Sequence, residues 1–500
     1  MRNGGSGGTE ESPQLKERAR DPLPSERTNA AVPAAGLRRD LGTVESYATL
    51  VGILIGAGIF KVTSQAWQLT GPSVILGYLV LSPAILATSV AYSFFLSTPL
   101  GRDPGGEYTH VSRTFGGRGL AFVGVWLKAI SYLGALAFLA QAFADYLLEL
   151  TGAGGAAAGA RQAVALAGLG LFFGIHVLGI RWFGRIQVAM CAVLGLSIVV
   201  LVVPGLFAIR PANYRPFFTH GISGFAAALP PLFFAYAGFE SLAQAAGEVK
   251  DSTSRLPAIF LRGIVATTVV YLLMSAVAFG TLPGERLGRS LAPMAEVAAV
   301  YLPGGAAWFV TLGAVMAVTT SLNVTMLAPS RVGIMLARDG LAPSWLGAIA
   351  PRTGTPVLGL GLTLAVSSLL LLSGQIALAL NIAVFALVLL YFLHSLAFLL
   401  LPRLNPTLFR QATVAIPLPL QRIAAVVSLL SMGAIVAVQV ADDVRTLRAF
   451  DFGERLARRS LTTLELCLLW SAVGAVLYAL GRRQARGGAP APALEGPKEA

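Results

Sequence analysis

The residues best suited to hold a small charged ligand lie in two long apolar stretches of this 500-residue chain. In the first stretch, residues 41–62, three small residues follow one another at Gly56, Ala57 and Gly58. Glycine tolerates non-helical dihedrals, so a helix can unwind here at low cost. Backbone groups released inside a bilayer are tolerated only where they line a protein cavity or meet a ligand. The alternative is close helix packing, because Gly52 and Gly56 also form a G-x-x-x-G pair.

The second stretch, residues 222–247, carries a matching interruption. Pro230 and Pro231 disturb the helix from one side, Gly238 weakens it, and Glu240 follows. Gly/Pro-interrupted segments at corresponding places in two halves of a chain are the best sequence pointer to a transporter's binding site. The pairing therefore favours a binding role over simple packing at the first interruption.

Glu240 is the carboxylate that the sequence places beside an interruption. Ionisable groups inside membrane spans are functional by default, and a carboxylate in a dry site favours its neutral form. Glu240 is therefore a candidate proton carrier. The alternative is a structural hydrogen bond between its carboxylate and the unwound backbone.

The composition places these stretches in a membrane. Hydrophobic residues make up 55% of the chain and charged residues 12%, with a mean hydropathy of +0.72. The net charge of +13 is spread among short loops, which argues against nucleic-acid binding. Cys191 and Cys467 both lie in apolar runs and indicate neither a disulfide framework nor a metal site, and we expect no cofactor.

The apolar runs predict an all-α integral membrane protein with twelve transmembrane helices. The predicted spans lie at about residues 41–62, 72–99, 117–148, 162–180, 186–209, 222–247, 258–282, 305–328, 356–373, 375–401, 422–441 and 461–481. The polar residues 1–40 predict a disordered cytoplasmic tail without a cleavable signal peptide, and residues 482–500 a second cytoplasmic tail. Five spans separate the two interruptions, so the two halves are expected to have opposite orientations.

Five stretches resemble the amino acid–polyamine–organocation (APC) superfamily of transporters. In chain order they are Gly56–Phe60 (similar to G-[SA]-G-I-F), Pro104–Tyr108 (P-x-G-G-x-Y), Phe233–Glu240 (F-F-A-F-x-G-F-E), Gly247–Asp251 (A-E-E-x-K-N-P) and Ser330–Pro343 (S-R…A-R-D-G-x-x-P). The resemblance implies a LeuT-type fold, with inverted five-helix repeats at 41–209 and 222–401 and two peripheral helices within 422–481. It also implies alternating access around a central site.

The resemblance further implies how a substrate would bind. Its carboxylate would meet backbone N–H groups at Gly56, Ala57 and Gly58, and its α-ammonium would meet carbonyls near Leu54 and around Phe234 to Ala237. Half-helix N-termini favour an anion and exposed carbonyl ends favour a cation, which agrees with this assignment.

Two side chains complete the predicted substrate site, and a third is ambiguous. Ser131 is assigned to the site from the third span, and Phe234 matches an aromatic residue that closes over substrate, with an ordinary core aromatic as the alternative. Lys128 is expected to snorkel or to form a structural pair; the alternative, that it faces the pathway, would favour a substrate with an acidic group. Residues 117–144 contain no carboxylate, so this span offers no acidic partner to a Lys- or Arg-like substrate side chain. Glu107 is expected to be structural, in a cytoplasmic loop.

Proton coupling is favoured over sodium coupling. Some proton-coupled relatives carry a fifth-helix lysine in place of sodium, but residues 186–209 contain no charged residue. Sodium stays open because Thr319, Thr320 and Asn323 supply oxygens on the eighth span, although such hydroxyls commonly bond back to their own helix.

Together these features predict a secondary active transporter of amino acids in the cell membrane, with proton symport. An amino acid or amine exchanger is the alternative, and the particular substrate is open. A membrane-embedded enzyme is disfavoured because the predicted spans contain no H-E-x-x-H, no G-x-S-x-G and no paired His/Asp set. A channel is disfavoured because a single pair of breaks replaces rings of like residues.

The distribution of basic residues predicts the topology. Of the 37 Lys and Arg residues, 25 fall on the side of the two termini, 11 on the other side, and Lys128 within a span. The excess places both termini in the cytoplasm. Reporter fusions at Ala500 and in the 210–221 loop should therefore report opposite sides of the membrane. Reports from the same side would contradict the twelve-span topology.

Overall fold

The computed structural model describes residues 37–56, 58–290, 292–457 and 462–487. The predicted N-terminal tail, apart from residues 37–40, therefore lies outside the described residues, as does the end of the predicted C-terminal tail. Ala57, one of the predicted substrate-binding residues, also lies outside them.

Within the described residues the chain is built from helices and contains no β-sheet, so the predicted all-α class is confirmed. The helices are α1 (Thr43–Leu54), α2 (Thr63–Thr70), α3 (Val74–Leu96), α4 (Glu107–Phe115), α5 (Arg118–Leu150), α6 (Ala158–Val177), α7 (Ile180–Phe207), α8 (Gly221–Tyr236), α9 (Ser241–Gln244), α10 (Ser252–Thr281), α11 (Gly284–Arg289), α12 (Pro293–Tyr301), α13 (Gly304–Arg338), α14 (Val357–Leu372), α15 (Ile376–Leu404), α16 (Pro406–Arg410), α17 (Leu418–Ala449), α18 (Phe452–Ala457) and α19 (Thr463–Gly487).

Ten segments of the described residues are long and apolar enough to cross a membrane. Two shorter apolar helices, Val357–Leu372 and Thr463–Val476, lie where the ninth and twelfth spans are predicted. The chain is thus a multi-pass membrane protein, and the count of twelve spans stays a prediction. α13 is the most buried of these ten segments. In its most apolar stretch of 18 residues 89% is buried inside the protein, against 22% for the corresponding stretch of α6.

The first and sixth spans are both interrupted, as predicted. α1 ends at Leu54, and the chain resumes as a π-helical turn, Gly58–Val62, before α2. In the sixth span α8 ends at Tyr236, Ala237 is extended (φ −73°, ψ 151°), and Gly238 has a φ of +103°. That φ is in the region where glycine costs least. The two prolines lie inside α8, and the break follows them.

A buried ion pair fastens the chain just after the sixth span. Arg331 on α13 donates to both carboxylate oxygens of Glu248, from Nε at 3.1 Å and from Nη2 at 2.9 Å. Bidentate pairs of this kind are among the stronger hydrogen-bonded contacts. The backbone of the same segment pairs with Leu41, whose N–H donates to the Glu248 carbonyl at 3.0 Å. The start of the first span, the end of the sixth and the eighth span are thereby held together.

Replacing Glu248 with alanine should destabilise the protein strongly. Arg331 would stay buried without its carboxylate, and breaking a buried pair costs about 3–5 kcal/mol. The matched control is Glu296→Ala, which breaks the exposed Arg286–Glu296 pair and should cost no more than about 1 kcal/mol. Unfolding of the purified variants in detergent measures both. Equal losses in the two variants would contradict the assigned role of the buried pair.

Candidate functional site

The break in the first span releases backbone carbonyls that other residues satisfy. The last four carbonyls of an α-helix have no intrahelical partner. In α1 the last helical bond runs from the Ile55 N–H to the Val51 carbonyl (2.8 Å). The three carbonyls that follow accept from side chains: Gly52 from the Thr320 hydroxyl (2.8 Å), Ile53 from the Ser321 hydroxyl (2.9 Å) and Leu54 from the Tyr271 hydroxyl. All three donors are hydroxyls on the seventh and eighth spans.

Tyr271 links the two breaks. Its fully buried hydroxyl lies within hydrogen-bonding distance of the Leu54 carbonyl at the end of α1 and of the Ala235 carbonyl at the end of α8. A hydroxyl has one proton to donate, so the two carbonyls share it. Tyr271 was not predicted as a site residue, because a tyrosine in an apolar span gives no signal of its partners.

Glu240 caps the break in the sixth span. Its Oε2 accepts a hydrogen bond from the Gly238 N–H at 2.9 Å and another from the Tyr391 hydroxyl, and its Oε1 accepts one from the Tyr132 hydroxyl at 3.2 Å. The side chain is fully buried. The structural hydrogen bond to unwound backbone, considered above as one alternative, is therefore present. Proton transfer by Glu240 stays a prediction.

A cavity lies between the two breaks. It is lined by Ile53, Gly58, Ser131, Tyr132, Ala135, Leu139, Phe234, Ala237, Gly238, Glu240, Ser321, Thr325 and Leu387. Its volume is about 30 Å³, counted as space open to the centres of water molecules. That is room for on the order of two or three waters. Five predicted residues meet here: Gly58, Ser131, Phe234, Ala237 and Glu240.

Leu54 and Gly56 do not line this cavity. The Leu54 carbonyl is bonded to Tyr271, and Gly56 packs directly against α13. A Cβ added at Gly56 would overlap the Ser321 side chain and lie 3.1 Å from the Ala317 carbonyl oxygen. The contacts of Gly56 therefore fit the alternative considered above, in which this glycine allows two helices to pack closely.

Phe234 lies at the edge of the cavity and packs edge-on against Phe138, with ring centroids 5.4 Å apart. Its position fits both the gate and the core-aromatic alternatives. Ser131 lines the same cavity, and its hydroxyl donates to the Ala383 carbonyl at 2.7 Å.

The hydroxyls proposed for sodium donate to backbone carbonyls, whereas Oδ1 of Asn323 is buried without a hydrogen-bond partner among the described residues. The Thr319 hydroxyl donates to the Val315 carbonyl at 2.9 Å, the Thr320 hydroxyl donates to the Gly52 carbonyl, and the Asn323 amide donates to Gln187 at 2.9 Å. Within the described residues, no group of three or more His, Cys, Asp or Glu could hold a metal ion. Thr319 therefore follows the alternative raised above, in which the hydroxyl bonds to a carbonyl of its own helix.

Lys128 forms a buried ion pair and does not snorkel. Its Nζ lies 2.6 Å from Oε2 of Glu107, and both side chains are at most 1% exposed. The structural-pair alternative is therefore correct. Glu107, predicted to be a structural residue of a cytoplasmic loop, lies at the start of α4 and is fully buried. Nothing in the sequence indicated this pairing, because Glu107 lies 21 positions before Lys128 on a different helix.

Residues 41–447 match a family model described as amino acid permease. Similar proteins include the branched-chain amino acid permease of Bacillus subtilis (strain 168), 26% identical over 64% of this chain and 71% of its own length. The methylthioribose transporter of the same organism is 26% identical over 67% of this chain and 74% of its own length. Cationic amino acid transporter 9, chloroplastic, of Arabidopsis thaliana is 27% identical over 67% of this chain and 62% of its own length.

Replacing Gly58 with valine should abolish ligand binding and still allow membrane insertion. A Cβ at Gly58 would lie 2.6 Å from the Ala235 Cβ, so the added side chain would force the two breaks apart and distort the cavity. The control is Gly170→Val, since a Cβ at Gly170 meets nothing within 4 Å. Membrane content and ligand-induced thermal shifts are compared. Unchanged affinity in Gly58→Val would mean that this glycine serves packing alone.

Proposed function

The chain belongs to the amino acid permease family of the APC superfamily, and on that premise we propose that it moves amino acids across the membrane as a secondary active transporter. Family membership makes it a transporter rather than an enzyme. The observation that carries the proposal is the cavity between the two helix breaks, where Gly58 and Ala237 meet. It supports alternating access around one central site.

The proposed binding mode uses the free ends of the broken helices. The substrate carboxylate meets N–H groups at the start of the second half-helix, in the stretch from Gly56 to Gly58 that includes Ala57. The α-ammonium meets carbonyls on the sixth-span side, from Phe234 to Ala237. Support comes from Gly58, Phe234 and Ala237, which line one cavity with Ser131. Leu54 takes no direct part in this proposal, because Tyr271 holds its carbonyl.

The proposed coupling is proton symport with Glu240 as the carrier. A fully buried carboxylate at the edge of the cavity supports this assignment, because protonation there would be felt by a bound substrate. The alternative is an exchanger of amino acids or amines, in which Glu240 would only stabilise the break. Sodium coupling has less support, because the Thr319 and Thr320 hydroxyls donate to backbone carbonyls, and Oδ1 of Asn323 by itself is too few ligands for a hard cation.

The proposed architecture is a pair of inverted five-helix repeats, residues 41–209 and 222–401, followed by peripheral helices within 422–481. The matching breaks, one near the start of each repeat, support it. The proposed setting is the cell membrane, with both termini in the cytoplasm.

The function is tested by uptake into liposomes that contain the purified protein. Amino acids and amines are first screened by thermal shift, because a ligand that binds the native state raises its apparent stability. Saturable uptake driven by an imposed pH gradient is expected for the best ligand. Uptake that needs a counter-substrate and ignores the gradient would favour the exchanger.

Glu240→Gln should separate binding from coupling. The amide mimics the protonated carboxyl, so ligand binding and exchange at equal pH should persist, while concentrative uptake driven by a pH gradient should largely vanish. Both modes are measured in the same liposomes. Asp442→Asn, which removes an exposed carboxylate, is the control and should behave like the unmodified protein. Undiminished pH dependence in Glu240→Gln would leave Glu240 as a structural group.

A further inference from the structure

A second buried carboxylate lies close to the proposed proton carrier. Glu107 is fully buried, and its oxygens accept hydrogen bonds from the Tyr92 hydroxyl, the Lys128 ammonium and the Gln244 amide. Lys128 is equally buried, and its Nζ lies 5.1 Å from the ring centroid of Tyr132. Tyr132 lines the cavity and donates to Glu240, so the Glu107–Lys128 pair is separated from the cavity by the Tyr132 side chain.

The two carboxylates are joined through one short helix. Glu240 immediately precedes α9 and Gln244 ends it, one helical turn apart. Side chains four residues apart lie on the same face of a helix. Gln244 bonds Glu107 while Glu240 bonds Tyr132 and Tyr391, so α9 cannot move without disturbing both carboxylates.

The charges in this cluster do not balance. Glu107 and Glu240 carry two negative charges when ionised, and Lys128 carries one positive charge. Burial lowers the pKa of His110, one of the polar residues around these groups in the described structure, to about 3, so its imidazole is neutral near pH 7. Nδ1 of His110 lies 3.0 Å from Nε2 of His394. The other polar residues around the cluster are Tyr92, Tyr132, Gln244 and Tyr391. One unbalanced negative charge in a buried site is costly, and one bound proton would neutralise it.

We propose that Glu107, Lys128 and Glu240 act as one unit that takes up a single proton, and that Lys128 sets the pH at which it does so. The inference rests on the proposed proton-coupled transport and extends it. Loading adds one proton to a carboxylate and brings the unit from one net negative charge to zero. Release on the other side of the membrane restores the negative charge. Glu107 and Lys128 are positioning residues, because neither lines the cavity.

The test uses charge compensation. Lys128→Met removes the positive charge and keeps a long apolar side chain, so both carboxylates should bind protons more readily. An opposite charge at this range shifts a carboxylate's protonation by about one to three pH units. The double variant Lys128→Met/Glu107→Gln removes one charge of each sign and restores the original net charge. Arg161→Met, which breaks the ion pair between Arg161 on α6 and Asp145 on α5, is the control.

The first readout is the pH at which uptake or exchange is half-maximal. It should rise by about one pH unit or more in Lys128→Met and return towards the original value in the double variant, with Arg161→Met unchanged. The proposal would be overturned if the pH of half-maximal transport were unchanged in Lys128→Met, or if it did not return towards the original value in the double variant.

The second readout keeps the test independent of transport. In Lys128→Met the folded state favours protonated carboxyls, so its melting temperature in detergent should fall relative to the unmodified protein as pH rises. The double variant should lose this extra pH dependence. If the unmodified protein transports without any pH dependence, proton coupling itself fails, and the melting curves still decide whether the three residues form one charge unit. Parallel curves for all variants would refute that unit.

Discussion

The structure depends on one constraint, namely that two helices are broken where there is no water to satisfy the released backbone groups. Each released group must find a partner inside the protein. At the first break the partners are the hydroxyls of Thr320, Ser321 and Tyr271. At the second break the Glu240 carboxylate accepts from the Gly238 N–H. The polar residues of the core are therefore placed by the needs of the backbone as much as by those of a ligand.

Hydroxyl partners would suit the alternating access proposed above. A hydroxyl can rotate and can both donate and accept, so it can follow a half-helix or exchange one carbonyl for another. Tyr271 shows the limiting case, since one proton serves the Leu54 and Ala235 carbonyls.

Two buried ion pairs flank the short helix α9. Glu248 binds Arg331 on α13 just after it, and Glu107 binds Lys128 on α5 while also accepting from Gln244. Buried charges are costly unless they are paired and hydrogen-bonded, so these pairs hold their elements in a defined arrangement. The half-helix that carries the proposed coupling residue is thus positioned by charge on both sides and does not depend on apolar packing alone.

Much of this could be read from the sequence. Hydropathy alone predicts a membrane protein, since repeated apolar runs of that length are typical of membrane spans. The Gly56–Gly58 stretch and Gly238 predicted both breaks, because glycine pattern and helix stability are local properties. Five motifs in register identified the family, and Glu240 was recognised because a carboxylate in an apolar span is conspicuous. These inferences rest on composition and on neighbours within a few residues.

The tertiary structure alone decided which partners meet. Periodicity tells which face of a helix a residue occupies but not what faces it. Lys128 and Glu107 are 21 positions apart, and Tyr271 is 217 positions from Leu54. Gly56 and Gly58 look alike in the sequence, yet one packs against Ser321 and the other lines the cavity. Such contacts are set by how distant spans cross, and that depends on the whole packed bundle rather than on any one segment.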